Sequence, residues 1–148
     1  MANRGFTLIE IMVVIGIMML LFSVGVLSIN MLLERMVINA ATNELIFTLE
    51  EAKAGAVAGS QGDVHGVYFS GNGYTEYIGD IDNHNVTHDL DGRLQLETDI
   101  INTDNSVTFS RITGAASQRT TITISFKDQP EKQSVVVIGK GGDISRSE

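Results

Sequence analysis

The stretch from Arg4 to Leu21 reads RGFTLIEIMVVIGIMMLL. From Ile11 to Leu33 the chain carries 23 residues without a charge or a proline. As a helix this run is about 34 Å long, enough to cross a hydrocarbon core of about 30 Å. The run therefore predicts a membrane-spanning helix. Glu10 breaks the pattern at its N-terminal edge. A carboxylate at the centre of a membrane helix costs about 2.5–3.5 kcal/mol, and less near the end of a span. An ionisable residue in such a place calls for a partner, because a buried charge is tolerated only when it is paired.

A secretory signal peptide is the obvious competitor. Its apolar region runs to roughly 7–15 residues and ends at a small-residue cleavage site. Here the apolar run is longer and continues into SINMLLERMV. The small-residue cluster AGAVAG comes only at Ala54–Gly59, too late to serve. An ordinary membrane anchor would leave Glu10 without a use. Arg4 is the only basic residue before the span, and it orients the N-terminus inside and the rest of the chain outside.

Composition bounds the remainder. A chain of 148 residues suits one modest core. The long aliphatic runs fall before Leu49, and after Ala58 the sequence turns to Gly, Asp, Asn, Thr and Ser with short apolar runs. An apolar helix joined to a small soluble head follows from that asymmetry. There are no cysteines, which excludes disulfides, thiolate metal sites and cysteine nucleophiles. Ten Lys and Arg stand against 18 Asp and Glu, for a formal net charge of −8. Nucleic-acid binding needs a basic face, so no nucleic-acid partner is expected.

The segment RGFTLIEIMVVIGIM resembles the prepilin signature of type IV pilins and type II secretion pseudopilins. The resemblance implies a leader of residues 1–5 ending in Gly5. It further implies cleavage between Gly5 and Phe6 by a prepilin peptidase, and N-methylation of Phe6. Glu10 then lies fifth in the mature chain, where the family's glutamate is thought to meet the N-terminal amine of a neighbouring subunit. Thr7, Leu8 and Ile9 fit the same pattern.

The helical period continues beyond the span. Ile38, Ala41, Leu45, Leu49, Ala52 and Ala56 recur at steps of three and four and form one apolar stripe. Glu44, Glu50, Glu51 and Lys53 fall off it. The stripe predicts packing under the head, with the helix fading near AVAGSQG. One helix from about Phe6 to about Ala58 is roughly 80 Å long. The resemblance implies that its first half projects from the head.

After Gly62 the pattern turns to strands. DVHGVYFS and YTEYIG read as a hairpin joined through Gly71-Asn72-Gly73. RLQLET, SVTFSRI, RTTITISFKD and QSVVVIGK follow, and GKGGDIS reads as a turn with a final short strand. Ile122, Ile124 and Phe126 alternate onto one face. The fold class is therefore α+β, a long N-terminal helix packed on an antiparallel head of one sheet or two. The order of strands and glycine turns from Val107 and Phe109 through Gly114, Ile122, Ile124, Val135 and Val137 to Gly141 resembles the GspH/FimT group of minor pseudopilins and minor pilins. Arg111-Ile112-Thr113 stands where that group often has proline.

Other chemistry finds little support. The segment GDIDNHNVTHDLDG offers Asp80, Asp82, Asp89 and Asp91 as oxygen ligands for calcium. Counted from Asp80, the EF-hand glycine and glutamate positions hold Asn85 and Asp91, so that template fails. The plain reading is a solvated turn-rich loop. His84 and His88 are four apart but lack an evident third zinc ligand. GKGGDIS lacks the strand–GxxxxGK[ST]–helix order of a phosphate loop, and no G-x-S-x-G elbow occurs. No cofactor and no enzymatic activity are expected.

The organisation predicted is a leader over 1–5, a transmembrane and filament-core helix over 6–33, an amphipathic helix over 34–60 and a β-rich head over 61–148. The expected role is a structural, minor subunit of a type II secretion pseudopilus or type IV pilus. A major pilin or a static membrane-anchored binding domain is the alternative. The expected partners are the prepilin peptidase, other pilin or pseudopilin subunits, inner-membrane lipid and the assembly platform. The expected location is the inner membrane with the head outside, then a periplasmic pseudopilus or surface pilus. Mass spectrometry of the native protein should find a chain that starts at Phe6 and is N-methylated. An intact Met1 in membranes containing the peptidase would remove the processing step.

Overall fold

The computed structural model describes residues 6–59, 64–80, 86–101 and 104–147, with the side chains of 24–30 outside that set. The chain divides into two compact units, Met1–Met36 and Val37–Glu148. A helix, α1, runs over Leu8–Ala58. It ends where the sequence turns to glycine. Gly59 takes a left-handed φ of 62° and its N–H donates to the Ala56 carbonyl at 3.2 Å. Glycine reaches that conformation without a Cβ clash and so closes the last turn.

Among the described residues of the second unit, eight strands follow: β1 His65–Ser70, β2 Gly73–Ile78, β3 Val86–Asp89, β4 Leu94–Thr98, β5 Ser106–Phe109, β6 Thr120–Phe126, β7 Gln129–Ile138 and β8 Ile144–Ser147. They form two four-stranded sheets, ordered β3-β2-β1-β5 and β4-β6-β7-β8. Every strand pairing is antiparallel. The β1–β2 hairpin turns over Gly71-Asn72, with Ser70 opposite Gly73, as the Gly-Asn-Gly signal predicts. β3 falls within a segment expected to be loop. Its four residues, VTHD, have one β-branched pair and no apolar alternation, so only pairing with β2 makes them a strand.

The core joins the helix to both sheets. Ile38, Leu45, Leu49, Ala52 and Ala56 of the predicted stripe are buried, and Ala41 packs half-buried beside them. Val67, Phe69, Val107 and Phe109 come from the first sheet; Leu94, Ile122, Ile124, Val136 and Ile138 come from the second. Burying each large aliphatic or aromatic side chain contributes about 1.5–3 kcal/mol. Two threonines also lie in the buried stripe, Thr42 and Thr48. Their hydroxyls donate back to the carbonyls of Ile38 at 2.7 Å and Glu44 at 3.1 Å. A buried hydroxyl satisfied on its own helix carries no unpaired-group penalty.

Polar ties complete the packing. Glu44 meets His88 Nδ1 at 3.0 Å, and the His88 ring stacks on its cross-strand neighbour Tyr74 with centroids 5.0 Å apart. Burial, followed by the negative charge of Glu44, pushes the Tyr74 phenol up to about 12. Thr48 moderates that shift, yet its hydroxyl is committed to the Glu44 carbonyl, and the phenol oxygen has no well-placed partner among the described residues. Lys53 Nζ donates to the Gly142 carbonyl at 2.7 Å, and Arg146 donates to Asn39 Oδ1 at 2.6 Å. Gly142 has a φ of 81°, and a Cβ there would lie 2.0 Å from the Gly114 carbonyl oxygen. Glycine at 142 thus lets the 139–143 turn rest on the 110–115 turn.

Asn105 joins strands of both sheets. It adopts a left-handed φ of 46°, a region Asn tolerates better than most residues. Its Nδ2 donates to the Phe69 carbonyl at 2.6 Å, its Oδ1 accepts from Thr98 Oγ1 at 2.8 Å, and its carbonyl accepts from Phe69 N–H at 2.9 Å. Asn105→Ala removes both side-chain bonds and puts a Cβ-bearing residue without local compensation at positive φ. Urea denaturation should show a loss of about 2–3 kcal/mol. A change under about 0.5 kcal/mol, typical of a surface substitution, would show that Asn105 is not a staple.

Candidate functional site

The site singled out by the sequence lies at the start of α1, in the first unit. Phe6 precedes the helix and is 78% exposed. Thr7 accepts from the Glu10 N–H with its carbonyl at 3.1 Å and with Oγ1 at 3.4 Å, and its carbonyl also accepts from Ile11 N–H at 3.3 Å. Thr7 is therefore the N-cap, and Glu10 occupies the third helical position. Thr7-Leu8-Ile9-Glu10 has the S/T-x-x-E order of a capping box, a signal present in the sequence but unread beside the stronger apolar pattern. Its threonine arm is formed.

The cap changes the electrostatics of Glu10. Glu10 lies in the first turn of α1. There the exposed N–H groups give the helix an effective partial positive charge, worth about 0.3–1 kcal/mol to an anion at a surface position. This offsets part of the cost a carboxylate would carry in apolar surroundings. Among the described residues the Glu10 carboxylate has no hydrogen-bond or ion-pair partner. Gly5, the other half of the expected cleavage site, lies outside the described residues.

Beyond Glu10 the helix is apolar all round. Leu8, Ile11, Met12, Ile15, Met18 and Phe22 are all exposed. Ser23, a polar residue in this run, donates its hydroxyl to the Leu20 carbonyl at 2.9 Å. A groove of about 500 Å³ lies among Ile15, Met18, Met19, Phe22 and Ser23. A helix apolar on every side is suited to an apolar environment of lipid or protein. Among the described residues no helix is long and apolar enough to cross a membrane. The expected span Ile11–Leu33 includes positions 24–30, whose side chains lie outside that set.

The predicted calcium ligands are dispersed among other duties. Asp82 lies outside the described residues, as does His84. Asp80 is exposed after β2, and Asp89 ends β3. Asp91 is engaged by Arg93: Oδ1 accepts from the backbone N–H at 3.0 Å and from Nε at 2.9 Å, and Oδ2 accepts from Nη2 at 2.9 Å. Asp89 and Asp91 border a recess of about 310 Å³ that also holds Lys127. Among the described residues no three His, Asp or Glu side chains come together as a metal group. His88 serves Glu44 and Tyr74, and His65 is buried in β1. On the same face, burial and then Glu51 push the half-buried Glu76 carboxyl upward.

Residues 1–26 match the prokaryotic N-terminal methylation motif. The fold is that of the type IV minor pilin FimU of Pseudomonas aeruginosa. One crystal form is 20% identical, with a TM-score of 0.63 over 78% of this chain and 91% of that one. A second form gives 0.59 over 74% and 92% at 20% identity. The minor pseudopilin EpsH of the Vibrio cholerae type 2 secretion system is 16% identical, with a TM-score of 0.59 over 75% and 96%. The chain thus carries that motif at its N-terminus and shares the fold of these minor pilin and minor pseudopilin structures. No curated protein matches it. At these identities the solved structures speak for the fold of this pilin-like chain, and the motif speaks for its N-terminus.

Asp91 supplies a test of the local electrostatics. Its hydrogen bonds from Arg93 lower its carboxyl from the ordinary 3.8 to about 2. A depressed carboxyl favours the folded state above its ordinary value, and that contribution is lost as pH falls through about 2. NMR titration of the Asp91 side-chain carbon should give a midpoint near 2. A midpoint at the ordinary 3.8 would mean that Arg93 does not hold it in solution.

Proposed function

We propose that this chain is a structural, minor subunit of a type IV pilus or a type II secretion pseudopilus. The observation that carries the reading is the methylation motif over residues 1–26 on a chain whose fold is shared by a minor pilin and a minor pseudopilin. The prepilin is anchored in the inner membrane with the head outside. A prepilin peptidase cuts after Gly5, and Phe6 becomes the methylated N-terminus. An assembly platform then brings the subunit into contact with other pilin-type subunits.

Glu10 gives the step a direction. The new α-amine of Phe6 is a cation near neutral pH. A carboxylate in apolar surroundings is penalised alone and tolerated when paired with a cation. Pairing of Glu10 with the Phe6 amine of a neighbour makes the assembled state better than the isolated one and fixes its register. Thr7 holds the first turn in shape, so the carboxylate is presented from a set position. The groove among Ile15, Met18, Met19 and Phe22 supports apolar packing in the filament core.

Glu10→Val tests this reading. The variant keeps the apolar helix and should insert and lose its leader normally. Removing one partner of a buried pair costs about 3–5 kcal/mol, so its incorporation into sheared filaments should fall at least about a hundredfold. Normal incorporation, quantified by immunoblot against the membrane pool, would remove the pairing step.

A further inference from the structure

The first sheet presents a carboxylate to the helix beneath it. Alternate residues of a strand share a face, so β2 turns Tyr74 and Glu76 to the same side. That side meets α1. Tyr74 is buried there, and its cross-strand neighbour His88 reaches Glu44 of the helix at 3.0 Å. Glu76 stands in the same row, opposite buried Val67 of β1 on one side and Val86 of β3 on the other. It is half-buried.

Every element on this side brings a titratable group to the seam. α1 contributes Glu44 and Glu51, β1 contributes His65, β2 contributes Tyr74 and β3 contributes His88. His65 is buried, and a Cβ on Gly55 of α1 would lie 2.7 Å from its ring. Lys53 of α1 points elsewhere, to the Gly142 carbonyl at 2.7 Å. Burial raises the Glu76 carboxyl above its ordinary 4.5, Glu51 raises it further, and His65 and His88 pull the other way. A carboxyl raised by folding costs stability at higher pH, and that cost disappears as pH falls through its folded value toward 4.5.

We propose that the seam between α1 and the first sheet is an acid-tightened clasp, in which a proton taken up by Glu76 draws β2 and the edge strand β3 more firmly onto the helix. Ionised, Glu76 adds a third carboxylate beside Glu44 and Glu51, between the apolar walls of Val67 and Val86, and water must reach it. Neutral, it can be covered. β3 follows β2, because its four residues lack apolar alternation and are held through β2 pairing and through His88. The clasp belongs to the head and stands apart from the filament function.

The test uses the full chain in detergent. Between about pH 7.5 and about pH 5.5 the thermal midpoint should rise by about 2–4 °C. Amide protection of Val86–Asp89, corrected for intrinsic exchange, should rise about fivefold over the same interval. Glu76→Gln should begin with the higher midpoint at neutral pH and lose most of both rises. Glu50→Gln removes an exposed charge of α1 that is not among those acting on Glu76, and should keep both rises. That variant separates the seam from the general easing of self-repulsion in a chain of net charge −8. Full rises retained by Glu76→Gln, or an equal loss of them in Glu50→Gln, would overturn the clasp. A higher midpoint with unchanged protection of β3 would overturn it too, since Glu76 would then stabilise the head without tightening the edge. NMR titration of the Glu76 side-chain carbon in the unmodified chain should give a midpoint above 4.5. A midpoint at or below 4.5 would overturn the clasp whether or not the glutamine variant folds.

Discussion

The burial of one helical stripe against two sheets is the constraint on which the head depends. Ile38, Leu45 and Leu49 supply bulk, and Ala52 and Ala56 let the chain behind them approach closely. Neither four-stranded sheet could bury its apolar face alone, because each would expose Phe69 and Phe109 or Ile122 and Ile124 to water. The helix gives both a common floor. Its off-stripe polar residues then act as fasteners: Glu44 to His88, Lys53 to the Gly142 carbonyl, and Asn39 to Arg146. Each is modest as an isolated pair at a partly wetted surface. Their effect is to fix where the strands and turns meet the helix.

The same helix carries a different logic in the first unit. There, apolar side chains face outward on every side and cannot be satisfied by the chain itself. Glu10 is the single acidic residue at that end, placed in the first turn where Thr7 caps the backbone. The N-terminal dipole makes the carboxylate tolerable without neutralising it. That residual cost is what the proposed pairing with a neighbour's amine would relieve. Such a pairing would favour a definite register as well as association, since an axial slip would leave both charges unpaired in apolar surroundings.

Two turns brace one end of the head. Gly114 and Gly142 meet backbone to backbone, a contact that any side chain on Gly142 would prevent. This contact fixes the base of the 110–115 turn, and the hydrogen bonds within the turn place Ile112 outward at positive φ.

The sequence by itself determined the apolar helix, the buried stripe from Ile38 to Ala56, the hairpin over Gly71-Asn72 and the alternating face of Ile122, Ile124 and Phe126. These are local periodicities, and the forces behind them act between near neighbours along the chain. It also held the residues of the N-terminal motif, Gly5, Phe6 and Glu10, because that signal is contiguous. The capping role of Thr7 was equally local and legible as T-x-x-E. Tertiary structure alone decided the rest. β3 became a strand because β2 offered it a free edge, not because VTHD prefers to be extended. Thr42 and Thr48 could join a buried stripe because each hydroxyl turned back on its own helix. His88 was drawn to Glu44 across 44 positions, by a proximity that no pattern along the chain encodes. The choice of two sheets over one, and the strained turn at Ile112, arise where segments far apart in sequence meet. There the packing of the whole, not the preference of any residue, sets the backbone.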